Sequence, residues 1–218
     1  MEAAKDVAAE FINGRPNDNI GITLFAGETF TQCPLTVDHA VLLDMIHNIK
    51  CGLIEDGTAV GMGIANAVTR LKDSKAKSKV IILLTDGTNN KGDISPLTAA
   101  EIAKSFGIRV YTIGVGTNGM APYPYPVGNT VQYVSMPVEI DEKTLTEIAG
   151  TTDGNYFRAT SNSKLKEVYE EIDKLEKTKL NVKEYSKRDE EYQWFALAAF
   201  LCVLLEVLLR NSILKKIP

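Results

Sequence analysis

The sequence predicts an α/β fold: a Rossmann-like, mostly parallel sheet with helices on both faces. Three observations carry this. Short apolar, β-branched runs alternate with amphipathic helical stretches along most of the chain. Val80–Leu84 is continuously apolar, as a strand covered on both faces must be. The junctions carry stop and start residues in the expected order: Asn13-Gly14, Asp38, Gly57-Thr58, Ser95-Pro96 and Gly107.

Residues 2–12 place Ala4, Val7, Ala8, Phe11 and Ile12 at helical spacing, and Asn13-Gly14 with Pro16 ends that helix. Ile20–Phe25 and Thr29–Cys33 read as strands. Asp38 caps a helix running to about His47. Gly57-Thr58 opens the next, with Val60, Ile64, Ala67, Val68 and Leu71 on one face. Val80–Leu84 is a strand; Ser95-Pro96 starts a helix with proline in its first turn. Arg109–Val115 is the next strand. Residues 117–138 hold four of the eight prolines and form a surface excursion, in which Gly128-Asn129 marks a β-hairpin turn. A helix over 141–149, a strand over 155–159 and a charged helix over 163–178 complete a domain spanning residues 1–178.

Composition bounds the function. The chain has 218 residues, 24% charged, with a net charge of −4. An acidic chain offers no electrostatic footprint for nucleic acid, so none is expected as a partner. Three cysteines, Cys33, Cys51 and Cys202, are too few and too scattered for a disulfide framework or a zinc knuckle.

The charge is unevenly spread. Residues 179–191 read as a polar linker. Beyond them Trp194–Leu209 carries one charge, Glu206. With Tyr192 and Gln193 this gives a helix about 27 Å long at the helical rise per residue, enough to cross a bilayer core. Tyr192 and Trp194 stand where interfacial aromatics belong, and Glu206 can pair with Arg210 one turn on. Residues 192–210 are therefore expected to be one C-terminal transmembrane helix, with 211–218 a short tail. The lysines and arginines on its two flanks are balanced, so orientation is not fixed by charge.

The sharpest local signal is the pair Asp56-Gly57-Thr58 and Thr85-Asp86-Gly87. The second comes directly after a buried strand, which places Asp86 at the carboxyl edge of the sheet, where open α/β sheets bind ligands. Thr58 precedes a helix, and its hydroxyl can face the same edge. A carboxylate beside a hydroxyl suits a hard cation such as Mg²⁺, Mn²⁺ or Ca²⁺. The same residues are equally readable as a helix cap at Asp56 or Thr58 and a turn at Asp86-Gly87.

Taken together, KVIILLTDGTNN (79–90), DGTAVGMGIANAV (56–68) and IRVYTIGVGT (108–117) resemble the von Willebrand factor A domain. The stretch of residues 119–159, which opens with the Pro/Tyr segment, and the apolar run after the domain resemble the membrane-anchored bacterial aerotolerance (Bat) subgroup. The resemblance implies a metal-ion-dependent adhesion site of three loops, binding Mg²⁺ or Mn²⁺. One loop supplies a threonine, matched by Thr58, and another an aspartate, matched by Asp86. The remaining loop is DxSxS at the end of a first, central strand. That motif occurs nowhere here, and the chain begins inside the helix that succeeds it in the family. The expectations are that Met1 is an internal start, that the sheet lacks its first central strand, leaving facing edges unpaired, and that metal binding is weak or absent.

The resemblance further implies a bacterial inner-membrane protein-interaction module, not an enzyme. Its partners would be a MoxR-type AAA+ ATPase and sibling membrane proteins, in complex assembly or stress (aerotolerance) tolerance. A non-functional fragment is the alternative, and a metal-dependent hydrolase using Asp86 a further one that lacks a nearby general base. Other candidates carry less. Gly114–Gly119 matches GxGxxG, but Pro122, Pro124 and Pro126 forbid the helix a dinucleotide site requires. His39 and His47 read as structural, Lys164–Lys179 as a solvated helix face, and Tyr123 and Tyr125 as residues of a stiff, polyproline-prone arm.

Overall fold

The computed structural model describes residues 2–50, 52, 54–116, 119–127, 130–138 and 140–185, with positions 197, 199–201, 203, 206, 207 and 209. The elements are α1 (Glu2–Asn13), β1 (Ile20–Phe25), β2 (Thr29–Thr36), α2 (His39–His47), α3 (Val60–Leu71), β3 (Lys79–Thr85), α4 (Pro96–Ser105), β4 (Ile108–Val115), β5 (Gly119–Val127), β6 (Thr130–Val138), α5 (Glu142–Thr151), β7 (Tyr156–Ala159) and α6 (Asn162–Tyr185). The chain divides into two compact units, Met1–Thr178 and Lys179–Pro218.

β3, β4 and β7 form a parallel sheet, with Lys79 opposite Ile108 and Thr112 opposite Tyr156. Successive residues of β3 point to opposite faces, and both faces are covered. Ile81 and Leu83 pack with Val60, Ile64 and Val68 of α3, three alanines of α4, and Leu145 and Ile148 of α5. Val80, Ile82 and Leu84 face the other side, where Val7 of α1 and Leu165, Val168, Tyr169 and Ile172 of α6 meet Tyr111 and Ile113. This is the two-faced α/β sandwich read from the alternation.

Two antiparallel pairs stand apart from that sheet: β1 with β2, and β5 with β6. β1 and β3 do not pair with each other, although α3 packs against both. α1 also serves both parts, giving Val7 to one core and Ile12 to the cluster of Cys33, Leu42 and Ile46 beneath β1 and β2.

The expected caps are present for two helices. Asp38 accepts the Val41 amide at 3.2 Å, and Ser95 accepts the Thr98 amide at 3.1 Å with Pro96 first in its helix. Three expectations need correction. α3 starts at Val60, not at Gly57-Thr58, and its N-cap residue is Ala59, which has no polar side chain to offer. Residues 119–127 form a strand paired with 130–138, which agrees with the hairpin expected about Gly128-Asn129, but makes the Pro/Tyr arm one of its strands and not a free polyproline segment. α6 runs on to Tyr185, past the end expected at Thr178, although the first compact unit closes at Thr178.

Residues 192–210 lie outside the described residues apart from isolated positions. Those positions are helical, and Leu197, Phe200, Leu201, Val203, Val207 and Leu209 among them are exposed. Among the described residues no helix is long and apolar enough to cross a membrane.

Candidate functional site

Three backbone segments meet at the carboxyl end of β3. The first is the β1–β2 turn, where the Ala26 carbonyl accepts the Ala59 amide at 2.7 Å and the Gly27 amide donates to the Glu55 carbonyl at 2.7 Å. The second is the loop of Glu55 to Ala59. Gly57 has φ +146, and a Cβ there would meet Gly27 Cα at 3.0 Å and the Lys91 side chain at 2.6 Å. Only glycine combines that backbone with so close an approach. The third is Asp86 to Lys91, which leaves β3 by a tight turn in which the buried Thr85 hydroxyl accepts the Gly87 amide at 3.3 Å.

Two asparagines lock the second segment to the third. Asn90 Oδ1 accepts the Thr58 amide at 2.8 Å, and the Thr58 carbonyl accepts the Asn90 amide at 3.0 Å. Asn89 Oδ1 accepts the Val60 amide at 2.9 Å. That bond satisfies one of the donors at the first turn of α3, the service an N-cap side chain normally performs. Ala59 cannot do this, so the cap comes from a residue 29 positions away from Val60. Neither Asp56 nor Thr58, the caps expected from sequence, fills that role.

Thr58 and Asp86 are brought to the same edge. Thr58 Oγ1 lies 3.2 Å from where a Cβ on Gly87 would sit, so the hydroxyl rests against the residue after Asp86. Thr58 is half-buried, while Asp86 and Asp56 are exposed. Glu55 and Lys91, 3.6 Å apart, form an exposed ion pair beside them. Such a pair contributes little stability but adds charge to the rim.

Whether this edge fits a divalent cation is a question of donor count. Mg²⁺ demands near-octahedral oxygen coordination. Thr58 offers one hydroxyl and Asp86 one exposed carboxylate at this edge, and no group of three or more His, Cys, Asp or Glu lies close enough among the described residues to hold an ion. Thr58 and Asp86 by themselves do not make a cation site.

The weaker candidates have structural partners. His39 Nε2 lies 2.9 Å from the Asp18 carbonyl and His47 Nδ1 2.7 Å from the Leu43 carbonyl. Cys33 is buried, and burial raises its thiol pKa, the opposite of a reactive cysteine.

One cluster lies outside every sequence motif. Glu176 belongs to the helix expected to present a solvated face, yet it is only 5% exposed. It accepts hydrogen bonds from Tyr111 at 2.6 Å, from Ser78 at 2.8 Å and from Arg109. Burial opposes its ionisation. The bonds from Tyr111, Arg109 and Ser78 and the Arg109 charge outweigh that and hold its carboxyl below the usual range. The signal is in the spacing: Leu165, Val168, Tyr169, Ile172 and Leu175 make the buried stripe of α6, and residue 176 continues it.

A parallel sheet covered by helices on both faces, with the Thr58 and Asp86 loops side by side at the carboxyl end of its first strand, defines a layered α/β domain of the adhesion type. The chain belongs to the von Willebrand factor type A domain family, which matches residues 1–171. It is similar to the solved structure of BatB, a conserved hypothetical protein of Bacteroides thetaiotaomicron, at 33% identity and TM-score 0.69, covering 81% of this chain and 88% of that one. An aerotolerance-related membrane protein of Bacteroides fragilis matches at 29% identity and TM-score 0.68, covering 79% and 86%. A protein of Borreliella burgdorferi is 26% identical over 218 residues; the present chain spans 64% of its length.

Proposed function

We propose that this chain is a membrane-tethered protein-binding module that presents its Thr58–Asp86 edge to a protein partner. One observation carries the reading. The loops at that edge are fastened to each other by Asn89 and Asn90, while the Asp86 carboxylate is left exposed at the end of a buried strand. A rigid scaffold holding up an exposed charged group is what recognition needs, since little ordering entropy remains to be lost on binding.

The resemblance to the Bat subgroup implies the partner class: a MoxR-type AAA+ ATPase and sibling membrane proteins, acting in complex assembly or aerotolerance at the bacterial inner membrane; the aerotolerance-related membrane protein among the relatives supports that setting. The exposed apolar helical positions between 197 and 209 support tethering through residues 192–210. Residues 179–191 would carry the chain from the domain to that anchor, with 211–218 as the tail. A divalent cation is expected to bind weakly or not at all to Thr58 and Asp86 as they stand.

The test is capture of the MoxR-type ATPase of the same organism on the full chain held in detergent. The wild-type chain is expected to retain it and the Asp86→Ala chain to lose it at least tenfold. Equal retention by both would overturn the assignment of this edge.

A further inference from the structure

We propose that two copies of this chain pair edge to edge through β6, joining their hairpins into one four-stranded antiparallel sheet. The argument begins with the prolines. The register of the hairpin sets Pro122 opposite Ser135, Pro124 opposite Tyr133, Pro126 opposite Val131 and Pro137 opposite Met120. All four prolines therefore fall in pairs of one parity. In an antiparallel ladder the residues of alternate pairs aim both backbone groups at each other, and those between aim both outward. Proline has no N–H, so it fits the outward positions without loss. Alternation of proline along β5 is thus what lets a proline-rich segment be a strand.

The consequence is an asymmetry between the two edges. The outward positions of β5 are Met120, Pro122, Pro124 and Pro126, so that edge has carbonyl acceptors and a single N–H donor. It cannot template another strand. The outward positions of β6 are Val131, Tyr133, Ser135 and Pro137, which keep three consecutive donors along with their acceptors. Among the described residues neither strand has a second strand neighbour, and each packs chiefly on the other. A two-stranded ribbon of this kind is marginal in water and gains most from a third strand.

The β6 edge is self-complementary. Its donors lie symmetrically about Tyr133, so a two-fold axis there sets Val131 against Ser135 of the second copy and Tyr133 against its own equivalent. Every N–H in this stretch then meets a carbonyl, and Pro137 falls outside it. The interface is isologous, and the proline-blocked β5 edges close it at both sides, so pairing stops at the dimer. A second copy is the occupant that matches this symmetry; an unrelated strand would match the donors but not require the two-fold.

Cross-linking of the full chain in detergent tests this, with Cys51 and Cys202 changed to serine and Cys33 left buried. Paired residues of the interface would have Cα atoms about 5.5 Å apart, within disulfide reach. Under oxidised glutathione, Tyr133→Cys is expected to run as a covalent dimer. Val131→Cys is expected to remain monomeric alone and to cross-link when mixed with Ser135→Cys. Pro124→Cys, on the blocked edge, is expected to remain monomeric. Adding Ser135→Pro to Tyr133→Cys should abolish the dimer while leaving circular dichroism unchanged, because the backbone N–H of position 135 is directed out of the hairpin. Absence of the Tyr133 cross-link, or equal cross-linking at Pro124, overturns the proposal.

Discussion

Asn90 and Thr58 hold each other by two bonds: the Asn90 side chain accepts the Thr58 amide at 2.8 Å, and the Thr58 carbonyl accepts the Asn90 amide at 3.0 Å. A side chain from the TDGTNN loop thus completes the backbone of the DGTA loop. The two segments that carry the candidate site are thereby tied to each other.

Removing that tie has a measurable effect. Asn90→Ala leaves the Thr58 amide without its side-chain acceptor, and a neutral hydrogen bond of this kind contributes about 1 kcal/mol. Asn89→Ala removes the surrogate cap of α3 at a similar cost of about 1 kcal/mol. The two act on neighbouring amides, so the double variant is expected to depart from additivity. Urea unfolding of the three variants checks this through the shift in midpoint at constant slope.

The Glu176 cluster ties α6 to the starts of β3 and β4, and its charge makes stability pH-dependent. The folded carboxyl lies below its ordinary value of 4.5. Its stabilisation is therefore present above that value and is lost as pH falls through the depressed folded pKa. Glu176→Gln is expected to flatten the stability profile below pH 4.5. Glu176→Ala strands the mostly buried Arg109 and is expected to cost about 3 kcal/mol at neutral pH. Thermal unfolding across pH 3 to 7 separates the two.

Much of this architecture is legible from residues in sequence order. Val80–Leu84 announces a doubly covered strand, and Asp38 and Ser95 announce helix starts because a cap bonds to amides two or three residues on. The N-terminus of α3 is not legible that way, since its cap reaches over from Asn89 on another loop. β5 is hidden for a different reason. Proline opposes strand structure on average, and only the register shows that these prolines sit where no donor is needed. Glu176 is a charge in a charged helix, and only the length of the stripe beginning at Leu165 places it inside. At the site, Thr58 and Asp86 are readable from motif and strand end, but the fastening that makes their edge rigid depends on contacts between distant loops.

The close packing of β4 on the turn before β7 leaves no room for a methyl group. A Cβ on Gly154 would stand 2.0 Å from the Val110 carbonyl oxygen, inside the buried strand. Gly154→Ala must push that strand aside, at about 3 kcal/mol or more. Gly150, with open space around its Cβ position, is the control. Gly150→Ala lies within α5 and is expected to raise stability by up to about 1 kcal/mol. Denaturation midpoints of the two variants should move in opposite directions.

Metal binding gives the sharpest test of the site as these residues form it. Thr58 and Asp86 together offer a hydroxyl and a carboxylate, three side-chain oxygens at most, while Mg²⁺ and Mn²⁺ prefer six and surrender their waters reluctantly. A carboxylate that stays exposed also competes with bulk water for the ion, which further weakens the contact. Titration of the full chain in detergent with MgCl₂ or MnCl₂ is therefore expected to show no saturable heat in the micromolar range. The Asp86→Ala chain should give the same trace as the wild type, because no formed site is there to lose. Micromolar binding that disappears in Asp86→Ala would show that other oxygens complete the shell, and the edge would then hold a partner's carboxylate through the ion instead of meeting the partner directly.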